Sequence, residues 1–491
     1  MKTITFAKLN RHVVLGVSVS ILVASVSTSH AQTAAMRHHS SWSGIKQFGT
    51  AGTERGYTSV VDRSGNLYVT GFTTGDLDGD GTEVSAGSFD LFVIKIKPNG
   101  QTEWTRQIGS AQDDRAHYIA VDRWGDVYVT GHSAGDLDGA GPETNKGIDD
   151  AFLLKLNAFG DVQWIRQFGS AEEDMGFGLT VDRFGNAYVT GYTFLGDIDG
   201  AGPAVNQGNE DVFLAAFDSA GNQRWIRQIG SPESDVAYAV AIDKHGSLYI
   251  TGLSFGDLDG LGSQMHAGDA DIVALKFSQQ GDLSWVRQMG TAGTDFGYAM
   301  KFDHKRHLYI SGFVSGDLDG SGPDVHLGGT DLAVIKLSGA GARQWSRQLG
   351  TSGNDIGHGV AVDRDGAVYV AGVTSGDLDG PGPQTYQGMG DVVAVKFSRH
   401  GTIQWLRQWG SASTDLGLDI TVDRRQHVYV TGQTEGDLDG AQPQVHAGDS
   451  DVFVLKFNPK VVCREKAGKS FSDGITEQVP AGHMQIHSDE L

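Results

Sequence analysis

A single cysteine, Cys463, is all that the 491 residues contain. No intramolecular disulfide can form, so packing and hydrogen bonds must hold the fold. Cys463 itself sits in a polar tail outside any repeat, which reads as an idle thiol rather than a nucleophile. Basic residues are also scarce: 38 Lys and Arg stand against 60 Asp and Glu, a net charge of −22. That balance argues against nucleic acid and anionic membrane surfaces as partners. After the first 31 residues no run is apolar enough to cross a bilayer, so no membrane insertion is expected. Helical amphipathicity is missing. So are a G-x-S-x-G elbow, an H-E-x-x-H pair and a phosphate-binding P-loop. Glycine is abundant, at 70 residues, which suits strands and turns far better than helices.

The two ends differ from the rest. MKTITFAKLNRH is a basic leader, VVLGVSVSILVASVS a short apolar stretch, and Ser29-His30-Ala31 a small-residue cleavage site. Residues 1–31 read as a Sec signal peptide cut after Ala31, residues 32–41 as a linker, 42–460 as the folded body and 461–491 as a disordered tail. The expected destination is secreted, periplasmic or cell-surface. The closing Ser488-Asp489-Glu490-Leu491 looks like a retrieval signal, and we read it as a chance match.

Between those ends one phrase of about 60 residues recurs seven times. It runs W-x-R-Q-x-G, an acidic residue, V-D-R-x-G-x-x-Y-V-T-G, G-D-L-D-G and G-x-x-D-x-F-x-x-K. Its Val-Asp core falls at Asp62, Asp122, Asp182, Asp243, Asp303, Asp363 and Asp423. Within each copy the hydrophobic period is two. The second copy predicts strands at 116–122, 127–131, 151–156 and 162–168, with turns at 123–126 and 157–161. Seven copies of four antiparallel strands predict an all-β fold, a seven-bladed β-propeller. The last copy stops after its third strand, and an orphan fourth strand, Trp42 to Gly49, precedes the first. Placing that N-terminal strand in the last blade closes a ring and removes two open sheet edges. The recurring Trp104-type and Tyr68-type residues are expected to pack blade on blade. The Arg after each Trp, such as Arg106 or Arg166, is expected to meet a carboxylate.

Gly169-Ser170 with Asp174, then Val181 to Gly191, then Gly208 to Phe213 resemble the bacterial β-propeller repeat (SBBP repeat) family. The likeness runs through all seven copies. It implies the propeller fold and an exported or surface protein, and it implies no particular activity. The departure is the loop after the second strand, where the family commonly carries Asp-Phe-Pro and this chain carries Gly-Asp-Leu-Asp-Gly.

That loop makes one face acidic. It supplies Asp76, Asp78, Asp136, Asp138, Asp197, Asp199, Asp257, Asp259, Asp317, Asp319, Asp377, Asp379, Asp437 and Asp439. A third-strand Asp follows (Asp90 in the first copy), and the loop between blades adds Glu54, Asp114 and their equivalents. Asp76-Leu-Asp78-Gly-Asp80-Gly81 matches the opening of a calcium loop, with acids at positions 1, 3 and 5 and Gly at 6. The bidentate acid at position 12 is absent, since Gly87 stands there. Structural calcium is therefore expected at Asp76, Asp78, Asp80 and Asp90, and more weakly in the other copies. The alternative is that the Asp-Gly pairs only make turns.

Copies differ where the scaffold does not need sameness. One such position, at the start of the innermost strand, reads Tyr57, His117, Phe177, Tyr238, Tyr298, His358 and Leu418. The next reads Thr58, Tyr118, Gly178, Ala239, Ala299, Gly359 and Asp419. Both should ring the channel mouth. His117, His358 and Asp419 are the acid–base candidates there, against the simpler reading of polar residues lining a wet channel. The leading expectation is a monomeric, non-enzymatic binding scaffold that engages a protein or glycan through the acidic loop face. The rival is a channel-mouth lyase or hydrolase using His117 and His358.

Overall fold

The computed structural model describes residues 42–77, 79, 88–139, 145–198, 207–258, 268–318, 326–378, 386–438 and 448–459. Residues 1–41, read above as signal peptide and linker, and residues 461–491 with Cys463, read as the tail, lie outside them. Each repeat forms one four-stranded antiparallel sheet, seven in all. In blade 2 the strands are Asp114–Val121, Val127–Ser133, Asp150–Leu156 and Val162–Phe168, from the channel outward. The first begins two residues earlier and the second ends two residues later than the alternation predicts, because Asp114 pairs in register with Ser133.

The ring closes as the split repeat requires. The N-terminal strand Gly44–Phe48 runs antiparallel to Asp451–Phe457, with Gly44 opposite Lys456 and Phe48 opposite Val452. Each innermost strand touches the innermost strands of both neighbouring blades, and the seventh touches the first.

Burial follows from stacking sheets face to face. In blade 1 both middle strands, Leu67–Thr73 and Asp90–Ile96, are buried along their whole length. The outer strand Thr102–Ile108 is exposed at its start. The second-strand tyrosines are among the largest fully buried side chains. Tyr68 packs into the Val127 and Val129 layer of the next blade, which is the blade-on-blade role expected of it. Its ring lies 6.0 Å from Trp104, edge on. Among the described residues no carboxylate meets Arg106, contrary to expectation. Its guanidinium donates to the carbonyls of Gly160 at 2.9 Å, Phe159 at 3.3 Å and Thr105 at 2.8 Å. Arg166 reaches the Gly221 and Ala220 carbonyls in the same way. A planar fork of donors suits the carbonyls of a tight turn, so the arginine stitches one blade to the turn of the next.

The first hairpin turn has its own chemistry. Asp62 Oδ1 accepts from the N–H groups of Ser64 (2.7 Å) and Asn66 (2.9 Å), and Gly65 takes φ = +89°. In blade 7 the glycine's place is held by Gln426, at φ = +66°. A side chain in that conformation costs about 1 kcal/mol. All that Gln426 returns is an exposed 3.3 Å bond to Asp365. Gln426→Gly is therefore expected to stabilise the fold by up to about 0.5 kcal/mol, after the entropy glycine adds to the unfolded chain. A denaturant midpoint that falls would contradict this.

Candidate functional site

Two of the four acids per blade turn inward. The inter-blade acids Glu54, Asp114, Asp174, Asp235, Asp295, Asp355 and Asp415 are all fully buried. Each caps the turn before it: Ser110 N–H donates to Asp114 at 2.5 Å and Thr291 N–H to Asp295 at 2.5 Å. Hydroxyls on the second strand add to this, as Ser133 does for Asp114 and Thr434 for Asp415. The third-strand acids are buried as well. Asp90 accepts from the Gln107 amide at 2.9 Å, and Asp391 from Gln408 at 2.8 Å. The two sets meet across each blade joint over one glycine. A Cβ on Gly169 would lie 2.3 Å from Asp150 Oδ1 and 2.8 Å from Asp174 Oδ2. Burial, reinforced by the neighbouring carboxylate, raises Asp150 and Asp235 to about 6.

The fourth-strand glutamine organises the loop above. Gln167 Nε2 donates to the Gly135 carbonyl at 2.8 Å, and its Oε1 accepts from Leu137 N–H at 2.8 Å. Gln228, Gln288, Gln348 and Gln408 repeat the N–H contact, and Gln47 repeats it across the closure by holding Leu438. The Leu of Gly-Asp-Leu-Asp-Gly is thereby a buried plug, as at Leu137, Ile198, Leu258, Leu318 and Leu438. Nothing in the turn chemistry of the Asp-Gly pairs pointed to this use of glutamine. The recurring W-x-R-Q spacing was the signal that could have found it.

The first Asp of the loop ties off its base. Asp76 accepts from Gly79 N–H at 2.8 Å, Asp136 from Asn145 at 2.8 Å and Asp317 from His326 at 2.7 Å, and Asp377 accepts from Tyr386. Asp136, Asp197, Asp317, Asp377 and Asp437 are exposed, while Asp138 and Asp257 are half-buried. Asp78, Asp80, Asp199, Asp259, Asp319, Asp379 and Asp439 lie outside the described residues. Among the described residues no group of three or more His, Cys, Asp or Glu is arranged to hold a metal ion.

At the channel the seven variable positions come together as expected. Successive ring centroids lie 4.9 Å apart from Tyr57 to His117, 4.8 Å to Phe177, 5.3 Å to Tyr238, 5.1 Å to Tyr298 and 5.0 Å to His358. Leu418 holds the seventh place. In every blade the ladder slips at this residue, between Gly56 and Thr58 in blade 1 and between Ala116 and Tyr118 in blade 2. A bulge leaves one residue unpaired and re-aims its side chain, here into the half-buried annulus.

The histidines are poorly placed as bases. Burial holds His358 at about 4, helped by Arg55. His117 is also pushed well down by burial, by His132 and by Arg115 and Arg55. Its Nε2 is 3.0 Å from His132 Nδ1. Burial raises Asp419 to about 6, although Ser59 N–H donates to it at 2.8 Å. Below the annulus the Lys301 ammonium, from blade 5, reaches the Tyr118 hydroxyl of blade 2 at 3.3 Å. Two further residues above the annulus escaped the sequence reading. Arg55 lies 5.6 Å over Tyr57, and Arg115 lies 4.1 Å over Phe89. They also sit where copies differ, two residues before the annulus.

Seven radial four-stranded sheets closed around a lined channel define a seven-bladed β-propeller. Four segments of these blades match the repeat of the SBBP family. The Beta-propeller repeat model matches residues 103–138, 163–193, 224–259 and 344–379, each match running from an outer strand into the next blade. The chain is similar to an uncharacterized WD repeat-containing protein of Acanthamoeba polyphaga mimivirus, at 22% identity over 79% of this chain and 35% of that protein. It is also similar to Regulatory protein FlaEY of Caulobacter vibrioides, at 29% identity over 42% of this chain and 22% of that protein. It thus spans about a third or less of these relatives' length. Among solved structures, Kuenenia stuttgartiensis hydrazine synthase aligns over 76% of this chain and 92% of that chain, at 11% identity and a TM-score of 0.44.

Proposed function

We propose that the chain is an exported, non-enzymatic scaffold that binds a protein or glycan through its acidic loop face. The observation that carries this reading is the repetition of the loop base. The same glutamine and buried Leu or Ile plug root the loops on one face, so equivalent contacts recur around a broad surface. Near-equivalent sites suit repeated contacts with an extended partner better than one reaction centre. The likeness to a WD repeat-containing protein fits a protein ligand. The depressed histidines weigh against the lyase or hydrolase alternative, because a base is most useful with a pKa near the working pH.

The test neutralises four exposed loop carboxylates together, as Asp136→Asn, Asp197→Asn, Asp317→Asn and Asp377→Asn. Binding to a surface protein or glycan fraction should weaken at least tenfold with the melting midpoint held. A catalysed turnover abolished by His117→Ala and His358→Ala in a folded protein would overturn the scaffold reading.

Calcium belongs to the same proposal. Bound by Asp76, Asp78 and Asp80, it would rigidify the first loop. A ligand of the folded state alone stabilises by about 2.7 kcal/mol at a hundredfold excess over Kd. Millimolar calcium should therefore raise the melting midpoint over chelator at fixed ionic strength, and magnesium should raise it less. An unchanged midpoint would leave these loops as turns only.

A further inference from the structure

We propose that the channel mouth is a binding site for a small aromatic carboxylate, separate from the loop face and independent of what that face binds. The annulus supplies the first half of the argument. Six ring side chains spaced at 4.8–5.3 Å, with Leu418 seventh, close a circle whose radius is on the order of 6 Å from axis to centroids. A single aromatic ring on the axis would sit within the roughly 4.5–7 Å at which aromatic pairs attract. Two rings side by side would not fit. The annulus residues are half-buried, so they present surface to the opening and are not spent inside the core.

The second half is charge. The chain carries −22 overall, yet Arg55, Arg115 and Lys301 stand at this opening, where the acids are Asp419 near Lys301 and Glu173 bonded to the Tyr192 hydroxyl. Arg55 lies over the Tyr57 ring, and its Nε donates to the Gln433 side chain. A guanidinium has five N–H donors, so this bond leaves capacity for a carboxylate. The side chain leans across the first blade joint, from Tyr57 of blade 1 to Gln433 of blade 7, at the edge of the annulus. Lys301 approaches from below, with Asp419 within its electrostatic reach. Arg115 is less available, because Asp113 lies 3.5 Å from it and Asp149 is close by. Arg55 is therefore the anchor.

The rim is also one-sided. At the positions flanking the annulus, blades 1 and 2 carry Arg55 with Phe72 and Arg115 with His132. Blades 4 and 5 carry Val236 with Leu253 and Phe296 with Phe313. A ligand with one charged end and one apolar end would enter in a single orientation, with its carboxylate toward Arg55. The loop face is built from repetition, whereas this mouth is built from the differences between copies.

Titration calorimetry with phenylacetate tests the site, with phenylacetamide, acetate and 2-phenylethylammonium as the neutral, ringless and cationic counterparts. Phenylacetate should bind saturably, at one site per chain. The amide and acetate should bind at least tenfold more weakly. Arg55→Gln should weaken phenylacetate about tenfold and Arg55→Lys by less, while neither shifts binding to the loop face. No saturable phenylacetate binding, equal binding of the ammonium, or an unchanged affinity in Arg55→Gln would each overturn the proposal. Should Arg55→Gln fail to fold, the comparison of acid with amide on the unaltered chain still decides.

Discussion

Deleting residues 42–49 is expected to cost roughly 5 kcal/mol or more, a large share of the roughly 5–15 kcal/mol that a folded domain usually has. The deleted strand carries five ladder positions opposite Val452–Lys456. Trp42, Ile45 and Phe48 pack against the cores of the first and last blades. Gln47 takes the place the outer-strand glutamine has in every other blade, holding Leu438 N–H at 3.2 Å and donating to Asp451 at 3.3 Å. Without it the last blade would present an open edge beside an unpinned loop. A melting curve should show a midpoint lowered by well over ten degrees or no cooperative transition, and size-exclusion chromatography should show association through the exposed edge. A circular permutant separates closure from general damage. If residues 42–49 follow residue 459 through a short linker, the same pairs can form and the midpoint should return to near its original value. A deletion that melts normally, or a permutant as damaged as the deletion, would mean that closure is not what the split repeat provides.

The closure was legible because it depends on counting alone: a fourth strand is missing at one end of the repeat array and present at the other. Strand positions were equally open to reading, since β-branched and aromatic residues alternate between Asp-, Asn- and Gly-rich turns. The acids were harder. Strand order places Asp114 and Asp76 on the same face, but it does not say that Asp114 is fully buried beneath a turn while Asp76 ties off a loop. That difference is set by which backbone N–H groups the turn leaves without partners, a property of three-dimensional geometry. The annulus was found by asking where copies differ. The bulge that aims it was not, because a register slip leaves no residue signature when the bulged position is Tyr, His, Phe or Leu in turn. Arg106 shows the opposite error. A charged side chain suggested a charged partner, whereas the carbonyls of the next blade's turn were the nearer acceptors.

Stability in chelator is expected to fall as pH rises from about 4.5 to 7, the reverse of ordinary acid unfolding. The cause is the pair of buried acids at each blade joint. Burial first, and then the facing carboxylate, raises Asp150 from 3.8 to about 6 and Asp235 likewise. Asp114, Asp174, Asp295, Asp355, Asp391, Asp415 and Glu54 move in the same direction. Between the unfolded and folded pKa values the native chain binds more protons than the unfolded one. The stability this gives is complete below the unfolded value and is lost as pH climbs through the folded value. For Asp150 and Asp235 the loss is on the order of 3 kcal/mol each. Asp303 and Asp423 work the other way. Burial opposes their ionisation, but hydrogen bonds from His307 and His427 outweigh it and hold both low, so they lose stability only as pH falls through their depressed values. The melting midpoint should therefore peak near pH 4.5–5. Asp150→Asn with Asp235→Asn should flatten the fall above that peak, because an amide oxygen can still accept from Lys146 N–H (2.9 Å) and Ser231 N–H (2.5 Å) without acquiring charge. A midpoint that climbs steadily from pH 4.5 to 7 in both proteins would refute the assignment.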